Sequence, residues 1–256
     1  MTFSPSDWHD RFTRQARWTC DLRQYLFQRA GCQTAERILD VGCGTGVLIS
    51  ELSDLVRAQV HGLDINRQYL NISAHQTVDA FLTQADAHAL PYIPGIFDIS
   101  FCHFLLLWVL DPAKVVAEMA RVTKPGGAVF ALAEPDYGGR IDYPPELAQI
   151  GQWQQAALQS QAADPEMGRK LAGIFSGLGL NKVETGVLGG QWNAPPSPED
   201  WESEWSVVQA DLQQVSQSPS VFNTFKALKN IDMSACAKGE RVLFVPTFYA
   251  WGIVPE

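Results

Sequence analysis

The stretch Ile38-Leu39-Asp40-Val41-Gly42-Cys43-Gly44-Thr45-Gly46 joins a short apolar run to a helical one through a turn dense in glycine. Glycine permits the positive φ of a sharp turn and lets a ligand come close to the main chain. About 20 residues further on, Gly62-Leu63-Asp64-Ile65 ends the next apolar run with an acid, which can accept hydrogen bonds from both hydroxyls of a ribose. A third acid, Asp86 in Ala85-Asp86-Ala87-His88-Ala89-Leu90-Pro91, follows the third apolar run and can accept from the exocyclic amine of a purine. A dinucleotide fingerprint reads G-x-G-x-x-G, but here the third glycine falls one residue early, at Gly46, and Val47 follows. That turn is tighter than one that seats a pyrophosphate. No Lys-Ser/Thr follows either, which excludes a P-loop. Taken singly, the glycines could form an ordinary turn and Asp64 could cap a helix. Their order and spacing together point to a nucleoside site.

Such a site needs parallel strands with helices between them. Arg37 to Val41, Val60 to Leu63, Ala80 to Gln84, Phe97 to Cys102 and Ala128 to Ala133 read as strands. Val47 to Leu55, Arg67 to Gln76 and the run opened by Asp111-Pro112 read as the intervening helices. Lys124-Pro125-Gly126-Gly127 reads as the break before the fifth strand. Strands alternating with helices imply right-handed crossovers and a parallel α/β sheet whose ligand lies at the carboxyl ends of the strands. Ser4 to Ala30 has helical spacing. Asp136 to Pro145 reads as a loop, Glu146 to Gln161 and Pro165 to Leu178 as helices, and Lys182 to Leu188 as a strand. Two helices follow from Ser197 to about Asn230, then a final strand region, Arg241 to Val254. Pro246 cannot donate to a ladder, so a bulge or an edge is expected there.

The chain has 256 residues, 46% of them hydrophobic and 18% charged, as in a globular protein able to bury its own core. Its net charge of −9 argues against a general nucleic-acid binder, so no nucleic-acid partner is expected. The most apolar run, Phe101 to Leu110, is too short for a membrane span, and no signal peptide is recognisable. Five scattered cysteines, with no C-x-x-C and no zinc spacing, read as reduced thiols in a cytoplasmic protein without a metal.

The ordered motifs resemble the class I S-adenosylmethionine-dependent methyltransferases, in particular their small-molecule UbiE/type 11 group. Phe97-Asp98-Ile99-Ser100 is similar to that family's fourth strand. Arg121-Val122-Thr123-Lys124-Pro125-Gly126-Gly127 is similar to its R-x-x-K-P-G-G turn. The resemblance spans Glu36 to Ala133. It implies a Rossmann-like, doubly wound sheet of seven strands, the last antiparallel, with a helical cap. One methyltransferase domain would cover 1–256, with a cofactor-binding core at 33–140 and helical lid segments at 1–31 and 190–240. S-adenosyl-L-methionine is the implied cofactor and a small molecule the implied substrate. Gly42, Gly44 and Gly46 would wrap the methionine part, with Asp40 orienting the loop. Asp64 would hold the ribose, Ile65 would lie against the adenine, and Asp86 with the N–H of Ala87 would read its edge. His103 stands where a backbone carbonyl usually meets the cofactor's amino group.

His103 and Tyr137 are the side chains that could serve catalysis. Tyr137, Tyr143 and Trp108 could touch the acceptor. The family's commoner second His is replaced by Leu105-Leu106-Leu107-Trp108. Arg14 and Arg17 could reach the cofactor carboxylate. Of the other tryptophans, Trp8, Trp18, Trp153, Trp192, Trp201, Trp205 and Trp251 lie in the N-terminal helix and the C-terminal third. They suit a planar or apolar acceptor or plain packing. An RNA or protein methyltransferase and a non-catalytic binder of the same cofactor are the alternatives.

Overall fold

The computed structural model describes residues 4–77, 79–189, 196–215 and 218–256. Trp192 lies outside them. Helix α1 (Pro5–Trp18) starts at a capping box: Ser4 Oγ accepts from Asp7 N–H, and the Asp7 carboxylate accepts from Ser4 N–H. The helix expected to run to Ala30 breaks at Thr19 and restarts as α2 (Cys20–Arg29). The Thr19 hydroxyl serves Ala16 O, Arg23 and His103, and such bonding competes with helix continuation.

The next elements are β1 (Arg37–Val41), α3 (Val47–Leu55), β2 (Gln59–Asp64), α4 (Arg67–Gln76), β3 (Phe81–Gln84) and β4 (Phe97–Cys102). Then come α5 (Pro112–Val122), β5 (Thr123–Pro135), β6 (Ile141–Tyr143), α6 (Ala148–Ser160), α7 (Leu171–Gly177) and β7 (Asn181–Leu188). The chain closes with α8 (Pro198–Val215), α9 (Pro219–Lys238), β8 (Val242–Phe244) and β9 (Thr247–Ile253). It divides into two units. One holds Phe3–Glu134, Met167–Leu188 and Thr247–Glu256. The other holds Pro135–Glu166 and Gly189–Pro246.

In the first unit the described strands form a seven-stranded sheet in the order β3-β2-β1-β4-β5-β9-β7. β1 pairs in parallel with β2 and β4, and β9, the last strand of the chain, runs antiparallel to β7. This is the expected doubly wound α/β sheet. β1 from Ile38, nearly all of β4, and β5 from Ala128 onward are buried, as in a parallel sheet covered on both faces. Ile38, Phe101, Phe130 and Trp251 share a core with Leu26 and Phe27 of α2 and Ile49 and Leu52 of α3. Register sets Val41 beside Leu63, and Asp64 beside Gln84, so the ends of β1, β2 and β3 lie level at one edge.

Further boundaries differ from those the sequence suggests, and α9 runs on to Lys238 where an end near Asn230 is expected. Helix α5 ends at Val122, just before Lys124-Pro125-Gly126-Gly127 as expected, but that stretch belongs to β5, which begins at Thr123 rather than at Ala128. Gly126 N–H donates to Val254 O and Val254 N–H to Gly127 O, so the turn is drawn into the ladder. The helix expected from Pro165 begins only at Leu171, after a 3-10 turn at Gly168–Lys170. Pro165 instead offers its carbonyl to Tyr137 N–H, and Asp164 caps a local turn at Glu166. Pro246 separates what reads as one terminal strand region into β8 and β9, which lie in different sheets.

In the second unit, β6 and β8 pair antiparallel, so part of the expected 136–145 loop is a strand. Leu147, Ile150, Trp205, Val208, Leu212, Phe225 and Leu228 form its core. Beside them runs a buried charge network. Asp142 accepts from Arg140 Nε at 2.6 Å and from Arg241 Nη2 at 3.0 Å. Arg241 also pairs with Asp232, whose Oδ2 accepts from Trp201 Nε1 at 2.6 Å and Trp205 Nε1 at 2.8 Å. Among the described residues no helix is long and apolar enough to cross a membrane.

Candidate active site

The glycine turn is held by β2. Gly42 N–H and Cys43 N–H both donate to Leu63 O, at 2.7 and 3.0 Å. Gly42 has φ +76° and Gly46 φ +83°, conformations that L side chains rarely adopt. Space forbids a side chain as well. A Cβ on Gly42 would lie 2.7 Å from Leu105, and one on Gly46 would overlap Ser73 Oγ. Ser73 Oγ is buried and has no hydrogen-bond partner among the described residues.

Helix α1 lies over this turn. His9 Nδ1 is hydrogen-bonded to Thr45 Oγ1 at 2.9 Å, and Phe12 packs at the open face of Gly44. Phe12 stacks on Trp8 and meets Tyr69 edge-on. Beside it, a cavity of ≈ 250 Å³ is lined by Thr13, Arg17, Arg23, Val47 and Glu51. Arg23 is the buried cation of this region, 1% exposed. Its guanidinium donates to Ala16 O, Thr19 and Glu51. Sequence reasoning points to Arg14 and Arg17 and misses Arg23, whose place on an amphipathic helix marks it as an ordinary surface charge.

Asp64 ends β2 half-buried. Its Oδ2 accepts from Gly44 N–H at 2.8 Å and its Oδ1 from Asn66 N–H at 2.7 Å. Burial raises its pKa against the pull of those donors. Asp40, 2% exposed, is pushed well above the usual carboxylate range by burial and by the charge of Asp64. Burial first, then the Asp40 and Asp64 charges, push the Cys43 thiol up. Ile65 is 67% exposed next to Asp64, an apolar face open to a ligand.

Asp86 follows β3 and is exposed. Its Oδ1 accepts from His88 N–H at 2.9 Å and from His88 Nδ1 at 2.7 Å, and these bonds lower its pKa. Ala87 is buried beside it. One motif residue braces this turn and another the foot of β1. Arg121 donates to Leu90 O and Tyr92 O, and its partner Glu118 accepts from Leu90 N–H. Lys124 pairs with Asp98 at 2.6 Å, and Asp98 Oδ2 accepts from the N–H groups of Glu36 and Arg37 at the foot of β1. Both act on the scaffold.

His103, just beyond β4, is bonded through Nε2 to Thr19 Oγ1 at 2.9 Å. Desolvation, joined by the Arg23 charge, pushes its pKa down to about 3. Phe104, next along, has φ +53°, a strained conformation for an aromatic residue, fixed by its N–H bond to Ala133 O. The following turn is organised by Glu134, a fully buried acid at the end of β5. Its carboxyl oxygens accept from Leu105, Leu106 and Leu107 N–H at 3.0, 2.7 and 3.1 Å. Burial pushes Glu134 up to about 8 despite these donors. Sequence reasoning gives Glu134 no role, because nothing local shows that a strand-end acid will meet a turn 27 to 29 residues earlier.

The structure thus brings Asp40, Gly42, Gly44, Gly46, Asp64, Ile65, Asp86, Ala87 and His103 to one edge of one unit, with Trp108 on a neighbouring turn, 47% exposed. Tyr137 and Tyr143 belong to the other unit, Tyr143 on β6. Trp201, Trp205 and Trp251 are packing residues: the first two serve Asp232, and Trp251 stacks on Phe130.

Residues 39–131 match a family model described as a methyltransferase domain. Over 101 residues the chain is 40% identical to a ubiquinone biosynthesis O-methyltransferase of Thiobacillus denitrificans, which covers 37% of this chain and 43% of that protein. Over 118 residues it is 34% identical to the ubiquinone/menaquinone biosynthesis C-methyltransferase UbiE of Saccharophagus degradans, covering 43% and 47%. The chain thus spans less than half the length of these curated relatives. Among solved structures, a putative methyltransferase from Bacillus halodurans superposes with a TM-score of 0.60 at 17% identity, over 91% of this chain and 98% of that one. Phosphoethanolamine N-methyltransferase 2 of Haemonchus contortus, in complex with S-adenosyl-L-methionine, gives 0.58 at 14% identity, over 92% and 53%. These likenesses carry the fold.

Proposed function

We propose that this chain, whose residues 39–131 belong to the class I methyltransferases of the UbiE/type 11 group, transfers a methyl group to a small organic acceptor. The cofactor is S-adenosylmethionine, and the residues present fit it. Three glycines at positive φ, Gly42, Gly44 and Gly46, turn the main chain sharply at the end of β1, where an amino-acid tail can lie close against it. At the end of β2 and just beyond the end of β3 stand a carboxylate for a ribose and another for an adenine amine. That three-strand row is the observation that carries the reading.

S-adenosylmethionine brings a methyl group already activated on a sulfonium. The chain's own task is therefore to position and to exclude water. Gly42, Gly44 and Gly46 hold the methionine end, with Asp40 behind them. Asp64 takes the ribose, Ile65 the adenine face, and Asp86 with Ala87 N–H the adenine edge. His103 stays a neutral imidazole at neutral pH, which suits a contact to the cofactor's ammonium better than proton abstraction. Glu134 fixes the turn that carries Leu105 to Trp108, where the acceptor would enter. We assign that acceptor to planar or apolar metabolites, in keeping with exposed Trp108 and with relatives named for ubiquinone biosynthesis.

Calorimetry with S-adenosylhomocysteine and with NAD, followed by labelled-methyl transfer to a panel of phenols, quinols and amines, tests this. Binding of the former alone, with transfer, is expected. Binding without transfer to any acceptor would favour a non-catalytic role, and NAD binding would overturn the assignment.

A further inference from the structure

His88 joins two turns that sequence distance keeps apart. The main-chain N–H of Asp111 donates to His88 Nε2 at 3.2 Å. A backbone N–H can only donate, so Nε2 presents its lone pair and the ring proton sits on Nδ1. Nδ1 then donates to Asp86 Oδ1, at 2.7 Å. The His88 main-chain N–H donates to that same oxygen at 2.9 Å. Oδ1 is thus committed twice, while Oδ2 meets no protein donor among the described residues and the carboxylate is 57% exposed. Asp111 cannot drift, because its own Oδ1 caps α5 by accepting from Lys114 N–H at 2.9 Å. The imidazole is 21% exposed and stands between a fixed donor and a carboxylate.

We infer that His88 is a positioning residue for base recognition: anchored on Asp111, it turns Asp86 so that Oδ2 faces a purine amine and rejects a purine carrying a carbonyl there. The inference rests on Asp86 meeting the adenine of S-adenosylmethionine. A carboxylate oxygen accepts readily from the amine of adenine. Opposite the carbonyl of hypoxanthine it faces another acceptor, and both lose their hydrogen bond. How strongly the two are told apart depends on how firmly Asp86 is held.

The test uses the full chain and calorimetry with two probes, S-adenosylhomocysteine and S-inosylhomocysteine. The ratio of their affinities is the readout, since a purely structural loss would weaken both alike. His88→Ala is expected to cut that ratio about tenfold. His88→Asn places an amide N–H near the Nδ1 position and should keep most of the preference. His88→Gln reaches towards Asp111 instead and should behave like His88→Ala. In an Asp86→Ala background the His88 changes should leave the ratio unmoved, because the preference passes through Asp86. Equal ratios in the parent and His88→Ala proteins, or equal ratios in the Asn and Gln variants, would overturn the inference while leaving the cofactor assignment intact. A parent protein that binds neither probe would overturn both.

Discussion

The N–H of Gly44 donates to Oδ2 of Asp64 at 2.8 Å, so the glycine turn and the second strand share one carboxylate. Asp64 therefore shapes the turn as well as offering itself to a ribose. Asp64→Ala should weaken S-adenosylhomocysteine binding at least tenfold, about 1.4 kcal/mol, in calorimetry. Asp64→Asn keeps an acceptor for one of the two N–H groups and should lose less stability in a thermal melt than the Ala variant, while still losing affinity.

Gly46→Ala meets two obstacles: a φ of +83° and the Ser73 side chain. Destabilisation by about 2 kcal/mol or more is expected in urea unfolding. Adding Ser73→Gly removes the overlap and leaves the backbone strain. The double variant should recover part of the loss and no more.

Glu134 gives a pH signature. Its folded value, about 8, stands above the ordinary 4.5. As pH rises through that window the unfolded chain releases a proton that the folded chain retains. Stability from this group is therefore complete below 4.5 and falls as pH climbs towards 8. Glu134→Gln cannot titrate. Urea midpoints measured from about pH 5 to about pH 8.5 should fall more steeply for the parent than for the variant. Parallel curves would show that Glu134 does not hold its proton in the folded chain.

Thr19 carries Arg23 on one side and His103 on the other. Thr19→Val keeps the shape and removes the hydroxyl from a site 1% exposed. The loss should be about 1–3 kcal/mol in chemical denaturation. The His103 ring signals should shift in NMR spectra, while those of His75, far along the chain, stay in place.

In the second unit, Asp232 is shared by Arg241, Trp201 and Trp205. Asp232→Ala removes one of the two carboxylates paired with Arg241, which keeps Asp142, and leaves two indole N–H groups without their acceptor. A loss of about 1–3 kcal/mol is expected, visible as a lowered midpoint in tryptophan-fluorescence unfolding.

The doubly wound sheet and the row of glycines and acids at its edge are legible because they rest on local signals: apolar runs of strand length, glycines at a turn, and acids at strand ends. Residues that act across long separations are not. Arg23 looks like any helix-surface charge until α2 is packed on α3. His88 gains its meaning only when β4 and the following turn bring Asp111 to it. Thr19 is an unexceptional helical residue whose hydroxyl is claimed by a histidine 84 positions later. Pro246 is visible as a misfit in a strand, but which sheet each side joins depends on β6, a three-residue strand too short to announce itself.

Pro246 also fixes how the gene could be cut. The few residues before it complete the small sheet with β6, and those after it supply β9 to the large one. Two passages of the chain, Met167–Leu188 and Thr247–Glu256, return to the first unit after excursions through the second. No single truncation therefore isolates either unit. A fragment ending near residue 134 would expose the long edge of β5 where β9 belongs, an invitation to aggregation. Excising the second unit needs two joins, one bridging each excursion.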